Sequence, residues 1–122
     1  MSAARACLLA ALLVAGSGQA ATPPTATAQR EINGLMEALA HSGCRFQRNG
    51  HWHEAGEAQR HLQRKYAYLH KRGLVDSAER FIERAASHSS RSGSAYRVAC
   101  PGRPEQDAAP WFRQHLAELR GR

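Results

Sequence analysis

The chain has 122 residues, with 17 Lys and Arg against 10 Asp and Glu, seven histidines and a formal net charge of +7. That length allows one domain at most. The basic residues are spread along the chain and interleaved with glutamates, with no basic run and no nucleic-acid module signature. The balance therefore argues against nucleic acid as a partner and for a generic attraction to anionic lipid or acidic polysaccharide.

The N-terminus reads as an export signal. Arg5 supplies the positive charge, an apolar run follows from Ala6 to Ala15, and Gly16-Ser17-Gly18-Gln19-Ala20 supplies the small residues. Gly18 at −3 and Ala20 at −1 fit cleavage after Ala20. The run is too short to cross a bilayer, which takes roughly 20 apolar residues, so the mature protein is expected to lack a membrane span. Cleavage would remove Arg5 and Cys7 and leave Cys44 and Cys100 as a pair. The expected organisation is a signal peptide over 1–20, a disordered leader over 21–29 around Pro23-Pro24, and one small domain over 30–122. A domain of that size needs a staple, and in an oxidising compartment a Cys44–Cys100 disulfide provides it.

Four helices are predicted by period. The first spans about Arg30 to His41, with Ile32, Leu35, Met36 and Leu39 on one face and Gly43 as its stop. Cys44 to Arg48 then alternates as a strand, closed by the turn pair Asn49-Gly50. The second helix runs from about Glu54 to Arg72, along the stripe Ala55, Ala58, Leu62, Tyr66 and Leu69, with Gly73 after it. A third, Ser77 to about Ser87, buries Ala78, Phe81, Ile82 and Ala85, with Asp76 and Glu79 resembling a capping box. The polar run Ser87 to Ser94 is a loop, and Ala95 to Cys100 alternates again. The fourth helix, about Pro110 to Arg120, is anchored by Trp111, Phe112, Leu116 and Leu119, with Asp107 as a cap. Pairing the two extended segments antiparallel with Cys44 opposite Cys100 puts Phe46 against Val98 and Arg48 against Tyr96, all on one side. The fold class is thus α+β: about four short helices packed on a two-stranded antiparallel ribbon, with one disulfide.

Three blocks carry a family resemblance: Ser42 to Trp52; Glu57-Ala58, His61-Leu62, Lys65-Tyr66 and Tyr68-Leu69; and Ser89 to Gly93 with Tyr96, Val98 and Cys100. Trp111 completes the set. Together they resemble the YfeK-like family of small exported bacterial proteins, a domain of unknown function. The resemblance covers nearly all of the mature domain. It implies a Gram-negative periplasmic location and no particular activity. His53 stands where the family pattern has a tyrosine.

Two constellations carry candidate chemistry. His53, Glu57 and His61, spaced i, i+4, i+8 if the long helix begins early enough, could ligate zinc from one face. No HExxH accompanies them, so no cofactor is expected and zinc is the alternative. Glu57, His61 and Lys65 form a second stripe beside the buried one. With Arg48, Asn49 and the loop residues Ser89, Ser90, Ser92 and Gly93 it could build a polar groove for an anion or a sugar. Glu57 and His61 could instead hold that loop onto the helix as structural hydrogen bonds. A serine with His61 and Glu57 also has the parts of a hydrolase triad, without an elbow or an oxyanion hole in evidence. Trp111 reads as core, and Trp52, beside a turn, as a candidate stacking platform. The sequence favours a non-catalytic periplasmic binding or interaction module, its partner an envelope protein, a glycan or a small anionic ligand. The alternative is a metal-dependent or hydrolytic enzyme acting on an envelope component.

Overall fold

The structure, a computed structural model, describes residues 24–121 together with Ala11. Apart from that one position the expected signal peptide lies outside the described residues, as does the leader through residue 23. Helix α1 (Ala26–Ala40) begins inside the expected leader, because the Thr25 hydroxyl caps it by accepting from the Ala28 N–H at 3.0 Å, and Ala28 is buried. Its face of Ile32, Leu35, Met36 and Leu39 is buried as the period predicts.

The expected two-stranded ribbon is the centre of a four-stranded antiparallel sheet with strand order β2-β1-β3-β4. Strand β1 (Arg45–Arg48) pairs with β3 (Arg97–Ala99), with Phe46 opposite Val98 as predicted, and Cys44 and Cys100 form the disulfide just beyond the paired residues. The two outer strands were not predicted. Strand β2 (His51–Glu54) folds back on β1 through Asn49 and Gly50, whose φ angles of 51° and 80° are those of a type I′ turn. Strand β4 (Gln106–Asp107) adds to β3.

Helix α2 (Ala55–Lys71) starts directly after β2, so His53 and Glu54 are strand rather than helix. Helix α3 (Ala78–Phe81) is capped by Ser77, which accepts from the Arg80 N–H at 3.1 Å, and not by Asp76. It widens into a π-helical turn, Ile82–Ala86, whose end is tied by the Ser87 hydroxyl donating to the Ile82 carbonyl. Helix α4 (Ala108–Arg120) begins two residues before the predicted Pro110. Asp107 precedes it but directs its carboxylate to Arg97 at 2.7 Å instead of capping.

The core joins α1, α2, α3 and α4 to the inner face of the sheet through Leu35, Leu62, Phe81, Phe112, Phe46 and Val98. Phe81 meets Phe112 edge-on at 6.3 Å, and Trp111 is buried beside Phe112. Arg48, the last residue of β1, and Tyr96, just before β3, both reach His61 of α2, which positions the site below.

Candidate functional site

Where β1 ends, α2 and the loop from Ser87 to Tyr96 leave a pocket of about 340 Å³. Tyr96 forms its floor. The ring is buried against Phe46, 5.0 Å between centroids, and the hydroxyl reaches the pocket. Arg48 enters from the last position of β1, and His61 and Lys65 from successive turns of α2.

The hydrogen bonds fix the state of the histidine. Arg48 Nη1 lies 2.7 Å from His61 Nδ1. A guanidinium can only donate, so the imidazole is neutral, and Arg48 Nη1 lying nearer Nδ1 than Nε2, 3.3 Å away, assigns the proton to Nε2. That N–H is 3.3 Å from the Tyr96 hydroxyl, and Lys65 Nζ donates to the same oxygen at 3.3 Å. The Tyr96 oxygen therefore accepts twice and keeps its own proton to give. Lys65 also donates to the His88 carbonyl at 2.8 Å and lies 5.0 Å from the Tyr96 ring centre.

The electrostatics agree with that assignment. Burial, then the charges of Arg48 and Lys65, push the His61 pKa down from 6.5 to about 4. Burial and then Arg48 lower the Lys65 pKa, and burial raises that of Tyr96. Three cations line the pocket, Arg48, Lys65 and Arg91, and no carboxylate does. Among the described residues none of the three is in a salt bridge.

The structure brings together Arg48, Asn49, His61, Lys65, Ser89 and Ser90 of the expected groove. Ser89 is buried, and its hydroxyl accepts from the N–H groups of Arg91 and Ser92 at 3.2 and 3.3 Å, so it shapes the loop from within. The Ser92 hydroxyl donates to Asn49 Oδ1 at 2.6 Å and ties the loop to the hairpin turn. Gly93 supplies the positive φ of 74° that turns the loop, and its N–H closes on the Ser89 carbonyl at 2.9 Å. Glu57 and Trp52 stand apart. Glu57 pairs with His53 at 2.9 Å, and Trp52 stacks under Arg45 at 5.4 Å on the sheet.

Two of the candidate constellations weighed from the sequence are not assembled. His53 sits on β2, and its partner Glu57 does not reach His61, whose Nδ1 is taken by Arg48. The His53–Glu57–His61 metal set therefore does not converge, and among the described residues no group of three or more His, Cys, Asp or Glu could hold a metal. The Ser–His61–Glu57 triad lacks its acid for the same reason. Sequence reading missed Tyr68, Arg91 and the Tyr96 hydroxyl as pocket groups. The signals were present: Tyr68 lies i+3 from Lys65 on α2, and Tyr96 faces Arg48 in the predicted register.

A wider groove of about 780 Å³ lies over Cys44 and Cys100 between α1 and α4. Its rim carries Glu37 beside His41 at 3.0 Å, Glu118 beside His115 at 3.4 Å, and Arg103. It is larger than the Arg48 pocket, but its one cation shares the rim with two carboxylates, where the Arg48 pocket has three cations and no carboxylate.

Residues 26–120 match a family model described as a family of unknown function, DUF5329. The chain belongs to this family. Over 69 residues this DUF5329 chain is 39% identical to the uncharacterized protein YfeK of Salmonella typhimurium (strain LT2), an alignment covering 56% of each. It thus spans just over half the length of that curated relative. Both findings bear out the YfeK-like resemblance. No solved structure matches the DUF5329 chain.

Proposed function

We propose that this protein is an exported, periplasmic, non-catalytic binding module whose Arg48–His61–Lys65–Tyr96 pocket holds an anionic group. One observation carries the reading: three cations line a half-buried pocket in which every free side-chain hydrogen-bonding position that faces inward on Arg48, Lys65 and Tyr96 is a donor. Clustered like charges repel, and an anion that accepts from several of them at once relieves the repulsion. Neutral His61 orients Arg48 from behind by accepting from it. No step of bond making is assigned, since the His61 Nδ1 lone pair that a general base would need free is taken by Arg48.

Export is supported by the N-terminal pattern of Arg5, the apolar run and Ala20, together with a disulfide, which persists in oxidising compartments. Intact mass of protein recovered from the periplasm of a Gram-negative host tests it, with loss of residues 1–20 the expected result. Thermal melts in sulfate against chloride at equal ionic strength test the pocket. Saturable stabilisation by sulfate is expected for the native chain and for Arg113→Gln, an exposed α4 control, and is expected to vanish in Arg48→Gln and Lys65→Gln. Equal stabilisation of all four proteins would contradict the reading.

A further inference from the structure

The surface of α2 beside the pocket carries charge of nearly one sign. Between Ala55 and Arg72 stand five cations, Arg60, Arg64, Lys65, Lys71 and Arg72, against one carboxylate, Glu57. That carboxylate is engaged by His53, although Glu54 stands just before the helix. Ala58 and Leu62 are buried, which leaves Arg60, Arg64, Tyr68 and Lys71 exposed on the far side. At about 100° per residue, Arg64, Tyr68 and Lys71 share one narrow arc. The exposed large hydrophobic residues among those described are Tyr68, 56% exposed, and Leu74, 38% exposed. Tyr68 lies in the last turn of this helix and Leu74 in the segment that follows it. The Arg72 guanidinium rests 3.6 Å over the Tyr68 ring, and Tyr68 also lines the pocket.

A small free anion would use the pocket and leave this surround without a role. A phosphate held in a sheet of other phosphates would use all of it. Cations gain near an anionic bilayer, and an exposed tyrosine suits the headgroup layer. No helix among the described residues is long and apolar enough to cross a membrane, so contact would be peripheral. We propose that the α2 face docks on a membrane surface of anionic phospholipid, seating one headgroup phosphate in the Arg48–Lys65–Tyr96 pocket with Tyr68 and Leu74 in the interface. This rests on the anion-pocket reading and names its ligand.

The test is co-sedimentation of the signal-cleaved protein with vesicles of phosphatidylcholine, with and without about one-third phosphatidylglycerol, alongside an NMR titration with soluble glycerol phosphate. Each cation near such a surface is worth about five-fold in partitioning. Arg64→Gln/Lys71→Gln is therefore expected to weaken binding to the anionic vesicles by roughly 25-fold. The control Arg103→Gln/Arg113→Gln, equal in charge change, is expected to bind like the native chain. Tyr68→Ala/Leu74→Ala should lose vesicle binding while still taking glycerol phosphate, which also shows that it folds. Glycerol phosphate binding without vesicle binding would overturn the membrane proposal and leave the pocket standing. Binding to neither would overturn both. Equal loss in the two arginine-containing double variants would reduce the effect to net charge and overturn the docking face.

Discussion

Acid should weaken this fold through His61. The imidazole is held neutral, with a folded pKa of about 4 against an ordinary 6.5. Above pH 6.5 it is uncharged in both folded and unfolded chains, and the native arrangement is fully stable. As pH falls from 6.5 toward 4 the unfolded chain takes up a proton that the folded chain refuses, so stability falls with pH. At about 1.4 kcal/mol per pKa unit, the whole gap is worth roughly 3 kcal/mol. His61 is only half-buried, so solvent at the pocket mouth should reduce the loss to roughly 1–2 kcal/mol. The assay is urea unfolding at pH 7.5, 6, 5 and 4.5 in chloride buffer, for the native chain and for His61→Gln. Glutamine keeps an acceptor for Arg48 and cannot titrate. The native chain should lose about 1–2 kcal/mol more than the variant across that range. Parallel curves would refute the assignment of a neutral, proton-refusing imidazole.

Cys44→Ala/Cys100→Ala releases a loop closed across a sequence separation of 56 and should cost about 4 kcal/mol by the chain-entropy account, read as a lower urea midpoint. An unchanged midpoint, or two free thiols in the non-reduced protein, would contradict the disulfide's role. Phe112→Ala removes the ring against which both Phe81 and Trp111 pack and should cost about 3–5 kcal/mol, with a thermal midpoint that barely moves counting against this core. Gly50→Ala meets no atom within 4 Å but needs φ near 80°, so its cost of roughly 1–2 kcal/mol is backbone alone and should appear in the same melts. Arg120 bridges Glu31 of α1 and Glu79 of α3 from the end of α4; as an exposed group its loss in Arg120→Ala should cost only about 1 kcal/mol and shrink at high salt.

The parts of the fold that were readable are those whose burial has a clean period. Ile32 through Leu39 and Ala58 through Leu69 repeat every three or four residues because one face meets the core. Phe46 and Val98 could be paired because alternation sets the face and the two cysteines set the register. Strand β2 escaped because His51-Trp52-His53-Glu54 is polar or half-exposed on both faces and runs without a break into helix. Strand β4 is two residues long, too short for any period. The π-helical turn leaves the apolar spacing of Phe81, Ile82 and Ala85 intact, so nothing in the pattern signals it.

The site was half legible for a related reason. Helical spacing placed His61 and Lys65 on one face, and the ribbon register placed Arg48 and Tyr96 on one side. Helical spacing also assigned Glu57 to His61, yet β2 delivers His53 to that carboxylate first. A missed strand thus became a misplaced acid. Tyr96 reads as an inner-face residue of the ribbon because its ring belongs to the core, while its proposed function lies in the hydroxyl that reaches the pocket.

The most direct test of that account is an NMR titration of the protein with sulfate, following the His61 imidazole and the amides of Arg48, Lys65, Tyr96 and Arg91. Saturable shifts confined to this set, with a His61 pKa that rises as the anion compensates Arg48 and Lys65, are the predicted result. Shifts that grow linearly without saturating, or that centre on the groove over Cys44 and Cys100, would contradict it.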